Sequence, residues 1–199
     1  MTQANPLFAS TLKSLFLETG ALLKGHFLLS SGLHSDQYLQ CALLLAHPGQ
    51  ASTIGQNLAA LQSEKPDLVL SPAMGGLIIG QEVARALNVR HYFTERDNGV
   101  MTLRRGFTLK PGEKVVIVED VITTGRSSRE VIVLAQGMGA VVMGALSIVR
   151  RGVTPADLGV PTSSLLELSI ASVPASECAL CKQGLPVVKP GSRTGTVPQ

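Results

Sequence analysis

The chain has 199 residues, of which 45% are hydrophobic and 16% charged, and its formal net charge is +3. This composition predicts one ordered domain with a buried core, alone or with a modest appendage, and argues against disorder. The small, scattered positive excess argues against nucleic acid as the main partner and suits a small anionic ligand. No apolar run reaches the roughly 18 residues of a membrane span, no secretory signal is visible, and three cysteines form no disulfide framework. We therefore expect a cytoplasmic protein.

The first forty residues predict a helix and a small antiparallel element. Apolar residues recur at helical spacing over residues 7–18, and Gly20 follows as a stop signal. Residues 26–29 and 37–39 are strand-like and are separated by a turn at 30–32.

From residue 50 the pattern changes to alternating strands and helices. Helices are predicted at 51–61, 76–87 and 127–138, and strands at 67–70, 89–94, 114–118, 141–149 and 165–170. The last helix opens with Ser127 and Glu130 in the spacing of a capping box. This alternation predicts an α/β fold with a parallel twisted sheet and helices on both faces. In such sheets ligands bind beyond the carboxyl ends of the strands.

A polar segment interrupts this alternation at residues 95–111. It contains Arg96, Arg104 and Arg105, and residues 91–109 contain no lysine. A connection of this length predicts a lid or a disordered excursion.

Residues 115–127 carry the strongest chemical signal. A buried strand ends in Glu119 and Asp120, and a loop of hydroxyls with one glycine, residues 123–127, leads into a helix. Backbone N–H groups at that helix start can converge on an anion. The two acids would repel a phosphate, so they are expected to meet sugar hydroxyls or a divalent cation. The acid pair alone is more often a solvated turn, but the whole combination predicts a site for a phosphorylated sugar.

This segment resembles the phosphoribosyl-pyrophosphate (PRPP) signature of the type I phosphoribosyltransferases. Three further segments are similar to the orotate phosphoribosyltransferase branch of that family. They are residues 27–32 (Phe-Leu-Leu-Ser-Ser-Gly) with Ser35 and Tyr38, residues 71–76 (Ser-Pro-Ala-Met-Gly-Gly), and the tail from Cys178 to Arg193. The resemblance covers about residues 10–193.

The resemblance implies a fold, an activity and partners. It implies a PRPP-binding α/β core at 46–154 under a small hood formed by residues 1–45 with the tail 155–199. The implied reaction transfers the 5-phosphoribosyl group from PRPP to orotate, giving orotidine 5-phosphate and pyrophosphate in pyrimidine synthesis. The implied cofactor is Mg²⁺, held mainly by the substrate, with no side chain assigned as its ligand. The implied assembly is a homodimer in which loop 95–110 covers the neighbouring site, with neither nucleic acid nor membrane as partner.

The resemblance also implies site residues. Glu119 and Asp120 would hold the ribose hydroxyls. The other PRPP contacts would be Met74, Gly75, Arg96, Val121, Ile122, Thr123, Thr124, Gly125, Arg126 and Ser127. Tyr38, Thr123 and Arg151 would contact orotate, with Arg150 as the alternative to Arg151. Catalysis would fall to Arg96, Arg104, Arg105 and Asp120.

The chain also departs from the family pattern. Gly75 and Ser30 stand where lysines are common, and the loop lacks the lysine that the family uses in catalysis, so Arg104 or Arg105 is expected to replace it. The lysine-free loop leaves open a non-catalytic PRPP-sensing regulator. A purine phosphoribosyltransferase is the third alternative, and the N-terminal element argues against it.

Cys178 and Cys181 supply only two of the four ligands that a structural zinc site needs. The remaining candidates, Cys41 and the four histidines, are scattered in the sequence. We therefore expect packing cysteines and assign no role to His26, His34, His47 or His91.

Overall fold

A computed structural model describes residues 5–29, 31–152, 154 and 156–190. Ser30 and residues 191–193, which entered the sequence comparison above, lie outside the described residues. Among the described residues, no helix is both long and apolar enough to cross a bilayer.

The described residues form six α-helices, eight strands and one short 3-10 helix (Ala175–Glu177). The helices are α1 (Pro6–Glu18), α2 (Cys41–Leu45), α3 (Pro48–Ala59), α4 (Gly76–Leu87), α5 (Arg126–Gly137) and α6 (Ala179–Lys182). The strands are β1 (Leu22–Leu28), β2 (His34–Leu39), β3 (Leu68–Pro72), β4 (Arg90–Asp97), β5 (Val100–Leu103), β6 (Lys114–Ile122), β7 (Val141–Arg151) and β8 (Thr162–Leu168). The predicted helices and strands are all present, with ends that shift by a few residues, and the five-residue α2 was not predicted.

The main sheet has the order β5-β4-β3-β6-β7-β8 and is parallel except for β5. Its central strands β3 and β6 are largely buried and apolar on both faces because helices cover both. Val116 and Val118 of β6 pack into one cluster with residues of α1, α3 and α4. Val115 and Ile117 pack into the other cluster with residues of α5. The predicted α/β architecture is confirmed.

Two local predictions need correction. The disordered alternative for residues 95–111 is wrong over residues 95–103, because β4 continues to Asp97 and turns back at Asn98-Gly99 into β5, which pairs with it antiparallel. The lid alternative stays a prediction. Ser127 does not cap α5, because the helix begins one residue earlier and its N-cap position is Gly125, in the left-handed conformation.

The two ends of the described chain meet in a separate small sheet. β1 and β2 pair antiparallel, and the C-terminal segment bonds to both strands. The amide of Leu28 donates to the carbonyl of Val188 at 2.9 Å, and the amide of His34 donates to the carbonyl of Val173 at 2.8 Å. We call this small sheet with its docked C-terminal segment the hood, and the predicted domain bounds stay a prediction. Within those bounds, α1 packs into the core cluster of the main sheet.

The packing of α3 on α4 gives a first prediction. A Cβ on Gly55 would lie 2.6 Å from Cβ of Glu82, whereas one on Gly49 of the same helix would meet nothing within 4 Å. Gly55→Ala should therefore lower the free energy of unfolding by about 1–3 kcal/mol. Gly49→Ala should leave it unchanged or raise it by up to about 1 kcal/mol. Urea unfolding of both variants measures this, and equal midpoints would contradict the close approach.

Candidate active site at the carboxyl ends of the strands

A cleft of about 730 Å³ opens where β6 and β7 end. The cleft is lined by the loop after β6, by residues of the hood and by Arg96 of the β4–β5 hairpin. Its lining residues are Leu29, Ser31, Tyr38, Leu39, Arg96, Gly99, residues 119–128 and Arg151. The topology thus places the cleft where ligands bind in parallel sheets.

Two adjacent carboxyl groups lie at the end of β6. Glu119 is buried, and its Oε2 accepts a hydrogen bond from Oγ of Ser128 at 3.3 Å. Oδ1 of Asp120 accepts one from the amide of Val121 at 2.8 Å. Burial, followed by the charge of Asp120, raises the pKa of Glu119 well above its ordinary value. Burial also raises the pKa of Asp120, although its backbone hydrogen bonds oppose this. Polar or cationic groups of a ligand would therefore offset the cost of burying these two carboxyl groups.

The loop after the acid pair presents the start of α5 to the cleft. Gly125 has φ +70°, and a Cβ there would lie 2.4 Å from Leu158, so both conformation and packing require glycine. Among the described residues, no side chain caps the helix. The first bond of the helix runs from the amide of Arg129 to the carbonyl of Gly125, which leaves the preceding amides for an anion.

Glu130 holds two arginines at the edge of the cleft. Its carboxylate lies 2.7 Å from Arg96 and 3.0 Å from Arg126. Burial opposes ionisation of Glu130, but its bonds to Arg126 and Arg96 keep its pKa below the ordinary value. Arg96 also donates to the carbonyl of Gly99 at 2.7 Å, so two contacts hold its guanidinium in the same cleft as the loop at residues 123–127.

Tyr38 of β2 and Arg151 at the end of β7 also line the cleft. Arg151 is buried, and its guanidinium donates to Oγ of Ser35 at 2.8 Å and to the carbonyl of Gln37 at 3.2 Å. The half-buried ring of Tyr38 lies 5.8 Å from the ring of Phe27. Burial raises the pKa of Tyr38 and lowers that of Arg151. A cation and an aromatic ring therefore share the cleft with the acid pair.

The turn at residues 71–76 approaches the same acids from β3. A Cβ on Gly75 would lie 2.5 Å from Oδ1 of Asp120, so no larger residue fits without moving that carboxylate. Met74 is exposed, and neither residue is among those lining the cleft.

The structure leaves other predicted residues outside the cleft. Arg105 pairs with Glu95 at 2.7 Å, Arg104 is exposed, and neither lines the cleft. Arg150 pairs with Glu167 on the surface, whereas Arg151 faces the cleft. The side chain of Ile122 is buried in the core, so its backbone alone is available to a ligand.

Two features escaped the sequence analysis. Glu130 was interpreted as half of a capping box, although its spacing of four residues from Arg126 is the signal for an ion pair. His26 and His34 were considered scattered and without a role, but the fold brings them together with Cys178 and Cys181. The close spacing of Cys178 and Cys181 is a local signal, but the two histidines reach them only through the pairing of β1 with β2 and the docking of the C-terminal segment.

Comparison with known proteins agrees with this geometry. Residues 44–159 match the model of the phosphoribosyl transferase domain family. The chain is 52% identical over 181 residues to the orotate phosphoribosyltransferase of Pelotomaculum thermopropionicum, covering 90% of this chain and 95% of that one. It is 50% identical over 183 residues to that of Thermotoga maritima, covering 92% and 98%. The crystal structure of the Aeropyrum pernix orotate phosphoribosyltransferase superposes with a TM-score of 0.68 at 27% identity, covering 78% and 93%.

The buried acid pair gives a second prediction. The pKa of Glu119 is higher in the folded chain than its ordinary value of 4.5, so the unfolded chain loses this proton first as pH rises. The free energy of unfolding therefore falls between pH 4.5 and the raised pKa. Glu119→Gln should therefore raise the melting temperature by a few degrees at pH 7–8 and by less near pH 5. Thermal unfolding across pH measures this, with exposed Glu18→Gln as the control. Destabilisation at every pH would contradict the prediction.

Proposed function

The chain belongs to the phosphoribosyl transferase family, in its orotate phosphoribosyltransferase branch, and from this membership we propose how its residues carry out the reaction. The enzyme transfers the phosphoribosyl group of PRPP to orotate, which places it in pyrimidine synthesis. The bond from ribose C1 to pyrophosphate breaks, and a bond from C1 to a ring nitrogen of orotate forms.

The phosphoribosyl group is assigned to the loop after β6. Glu119 and Asp120 accept hydrogen bonds from the ribose 2- and 3-hydroxyls. Backbone amides and hydroxyls at residues 121–127 bind the 5-phosphate, aided by the dipole of α5. The uncapped start of α5 directly beside two carboxyl groups is the observation that carries this assignment. A ligand that is anionic at one end and rich in hydroxyls at the other satisfies both features.

Orotate is assigned to the hood side of the cleft. Arg151 pairs with the orotate carboxylate, Tyr38 lies against the ring, and Thr123 hydrogen-bonds to its edge. Two observations support Arg151 over Arg150: it lines the cleft, and Ser35 and Gln37 already fix its orientation. A bidentate guanidinium–carboxylate pair is the strong form of this contact.

Pyrophosphate is assigned to Arg96 and the turn that contains Met74 and Gly75. Arg96 is in place at the cleft edge, whereas Gly75 supplies only backbone. Arg104 and Arg105 remain the proposed substitutes for the absent family lysine, and this requires the β4–β5 hairpin to move or to serve a neighbouring chain.

Mg²⁺ is proposed as the cofactor, held mainly by PRPP oxygens. The cleft fits a cation-bearing substrate, because the acid pair places two carboxyl groups, the oxygen donors that Mg²⁺ prefers, beside the anion-binding loop. When bound, Mg²⁺ neutralises charge on the pyrophosphate leaving group.

The chain itself then contributes to catalysis by positioning the two substrates and by stabilising the charges of the transition state. The transition state resembles an oxocarbenium ion, so positive charge grows on the ribose while negative charge grows on pyrophosphate. Asp120 lies on the ribose side and Arg96 on the pyrophosphate side, and each stabilises the charge that develops near it.

The proposal extends to assembly and location. We propose a cytoplasmic homodimer in which loop 95–110 covers the neighbouring site, and a hood of residues 1–45 with 155–199 over a core at 46–154. The exposure of Arg104 and Arg105 on the hairpin supports a role outside their own cleft.

One assay tests the function. Purified protein is mixed with PRPP, Mg²⁺ and orotate, and the loss of orotate absorbance is followed. Turnover with orotate and none with adenine or guanine is expected. Turnover with a purine alone would overturn the orotate assignment, and PRPP binding without turnover on any base would favour a sensor.

The orotate site gives a further prediction. Arg151→Ala should raise the KM for orotate roughly ten- to hundredfold, as expected for a lost hydrogen bond to a charged group, and should leave the KM for PRPP nearly unchanged. Arg150→Ala is the matched control, because its ion pair with Glu167 is on the surface. Steady-state kinetics measure both constants, and the melting temperature checks folding. The reverse result would place the orotate contact at Arg150.

A further inference from the structure

Four side chains of the types that bind metals converge in the hood, where the C-terminal segment docks on β1 and β2. They are His26 of β1, His34 of β2, Cys178 before α6 and Cys181 within it, and their ligand atoms all lie within 4.8 Å of one another. His26, His34 and Cys178 are buried, and Cys181 is partly buried. The cluster includes none of the residues that line the substrate cleft.

Three sulfur–nitrogen distances are close to the edges of a mononuclear tetrahedral site. Sγ of Cys181 lies 3.3 Å from Nδ1 of His34 and 3.5 Å from Nε2 of His26, and Sγ of Cys178 lies 3.4 Å from the same Nε2. A tetrahedron with Zn–S bonds of about 2.3 Å and Zn–N bonds of about 2.1 Å has sulfur–nitrogen edges of roughly 3.6 Å. The two histidine nitrogens lie 2.7 Å apart and need to separate by only about 0.7 Å to fit it.

The surroundings of His26 fix which nitrogen is available. Its Nδ1 lies 2.9 Å from the carbonyl oxygen of Leu185, and a carbonyl only accepts hydrogen bonds. In the neutral ring Nδ1 therefore carries the proton, and the lone pair of Nε2 points into the cluster. A ligand histidine whose second nitrogen donates to a backbone carbonyl is the usual arrangement around bound metals.

We propose that His26, His34, Cys178 and Cys181 form a structural zinc site. On binding, the two thiols release their protons to solvent, and two thiolates with Zn²⁺ and two neutral imidazoles carry no net charge, as a buried site requires. Two sulfur and two nitrogen ligands select zinc over Mg²⁺, which prefers oxygen. A two-iron cluster with the same ligands would separate the cysteines from the histidines on different irons, whereas these sulfurs and nitrogens are in mutual contact.

The site would join the two ends of the described chain. Cys178 and His26 are 152 residues apart in sequence, and backbone hydrogen bonds at Val173 and Val188 already hold the C-terminal segment on both sides of the cluster. His34 directly precedes Ser35, which holds Arg151. Zinc would therefore stabilise the strand that forms the hood wall of the cleft, without entering the cleft.

The test measures metal content and needs no activity. The full chain, without a histidine tag, is produced in zinc-supplemented medium and dialysed, and elemental analysis should find one zinc per chain. Replacing zinc with Co²⁺ should give the intense visible bands of a tetrahedral ion and a thiolate charge-transfer band. A strong chelator should lower the melting temperature by several degrees.

Variants assign the ligands. Cys181→Ser and His34→Asn should lose at least about nine-tenths of the zinc and the chelator effect. Cys41→Ser and His47→Gln, which replace a cysteine and a histidine outside the cluster, should retain both. If the ligand variants do not fold, the cobalt spectrum of the unaltered chain decides.

Four results would overturn the proposal. The first three are zinc well below one per chain with no thiolate band for cobalt, equal zinc loss in the ligand and control variants, and iron in place of zinc. The fourth is a Cys178–Cys181 disulfide in the freshly purified chain, detected by mass spectrometry without reduction.

Discussion

The site depends on one electrostatic arrangement, a pair of carboxyl groups held out of water beside an uncapped helix start. The sheet creates it by carrying β6 straight from a buried apolar run into Glu119 and Asp120. Burial of the acids is costly, and no side chain among the described residues caps the first amides of α5. A ligand with hydroxyls next to a phosphate would satisfy both groups at once. The proposed substrate site is therefore a place where the folded chain gives up stability, as is common at functional sites.

The sequence predicted the parts that depend on local pattern. The β-branched run before Glu119, the helical spacing over 76–87 and the glycine of the anion loop each have a local physical cause, and each is present. The predicted cap at Ser127 failed for an instructive reason. A good cap would satisfy the amides of α5 internally, and Gly125 instead leaves them open. Likewise, the polar composition of residues 95–111 did not predict β5, because this strand is defined by its pairing with β4 and not by its own residue pattern.

Long-range contacts account for what the sequence could not predict. His26 and Cys178 become neighbours only after β1 pairs with β2 and the C-terminal segment docks on both. Arg151 illustrates the same limit. Its position in the chain came from family resemblance, but its orientation depends on Ser35, more than a hundred residues earlier. Burial of the Arg151 guanidinium against the hood depends on the whole fold, so no short stretch of sequence predicts it.

The contact of Glu130 with both Arg96 and Arg126 has a consequence for selectivity. Arg126 contacts the carboxylate through Nε alone and its side chain is mostly exposed, so an anion can reach it without displacing Glu130. The negative charge of Glu130 nevertheless offsets part of the positive charge of both guanidinium groups, which weakens their attraction for any single anionic group. A simple ion such as free phosphate has few other contacts to add to this reduced attraction, whereas a molecule that also contacts the loop and the acid pair has more. Glu130 therefore favours ligands that span the cleft over small anions at its edge.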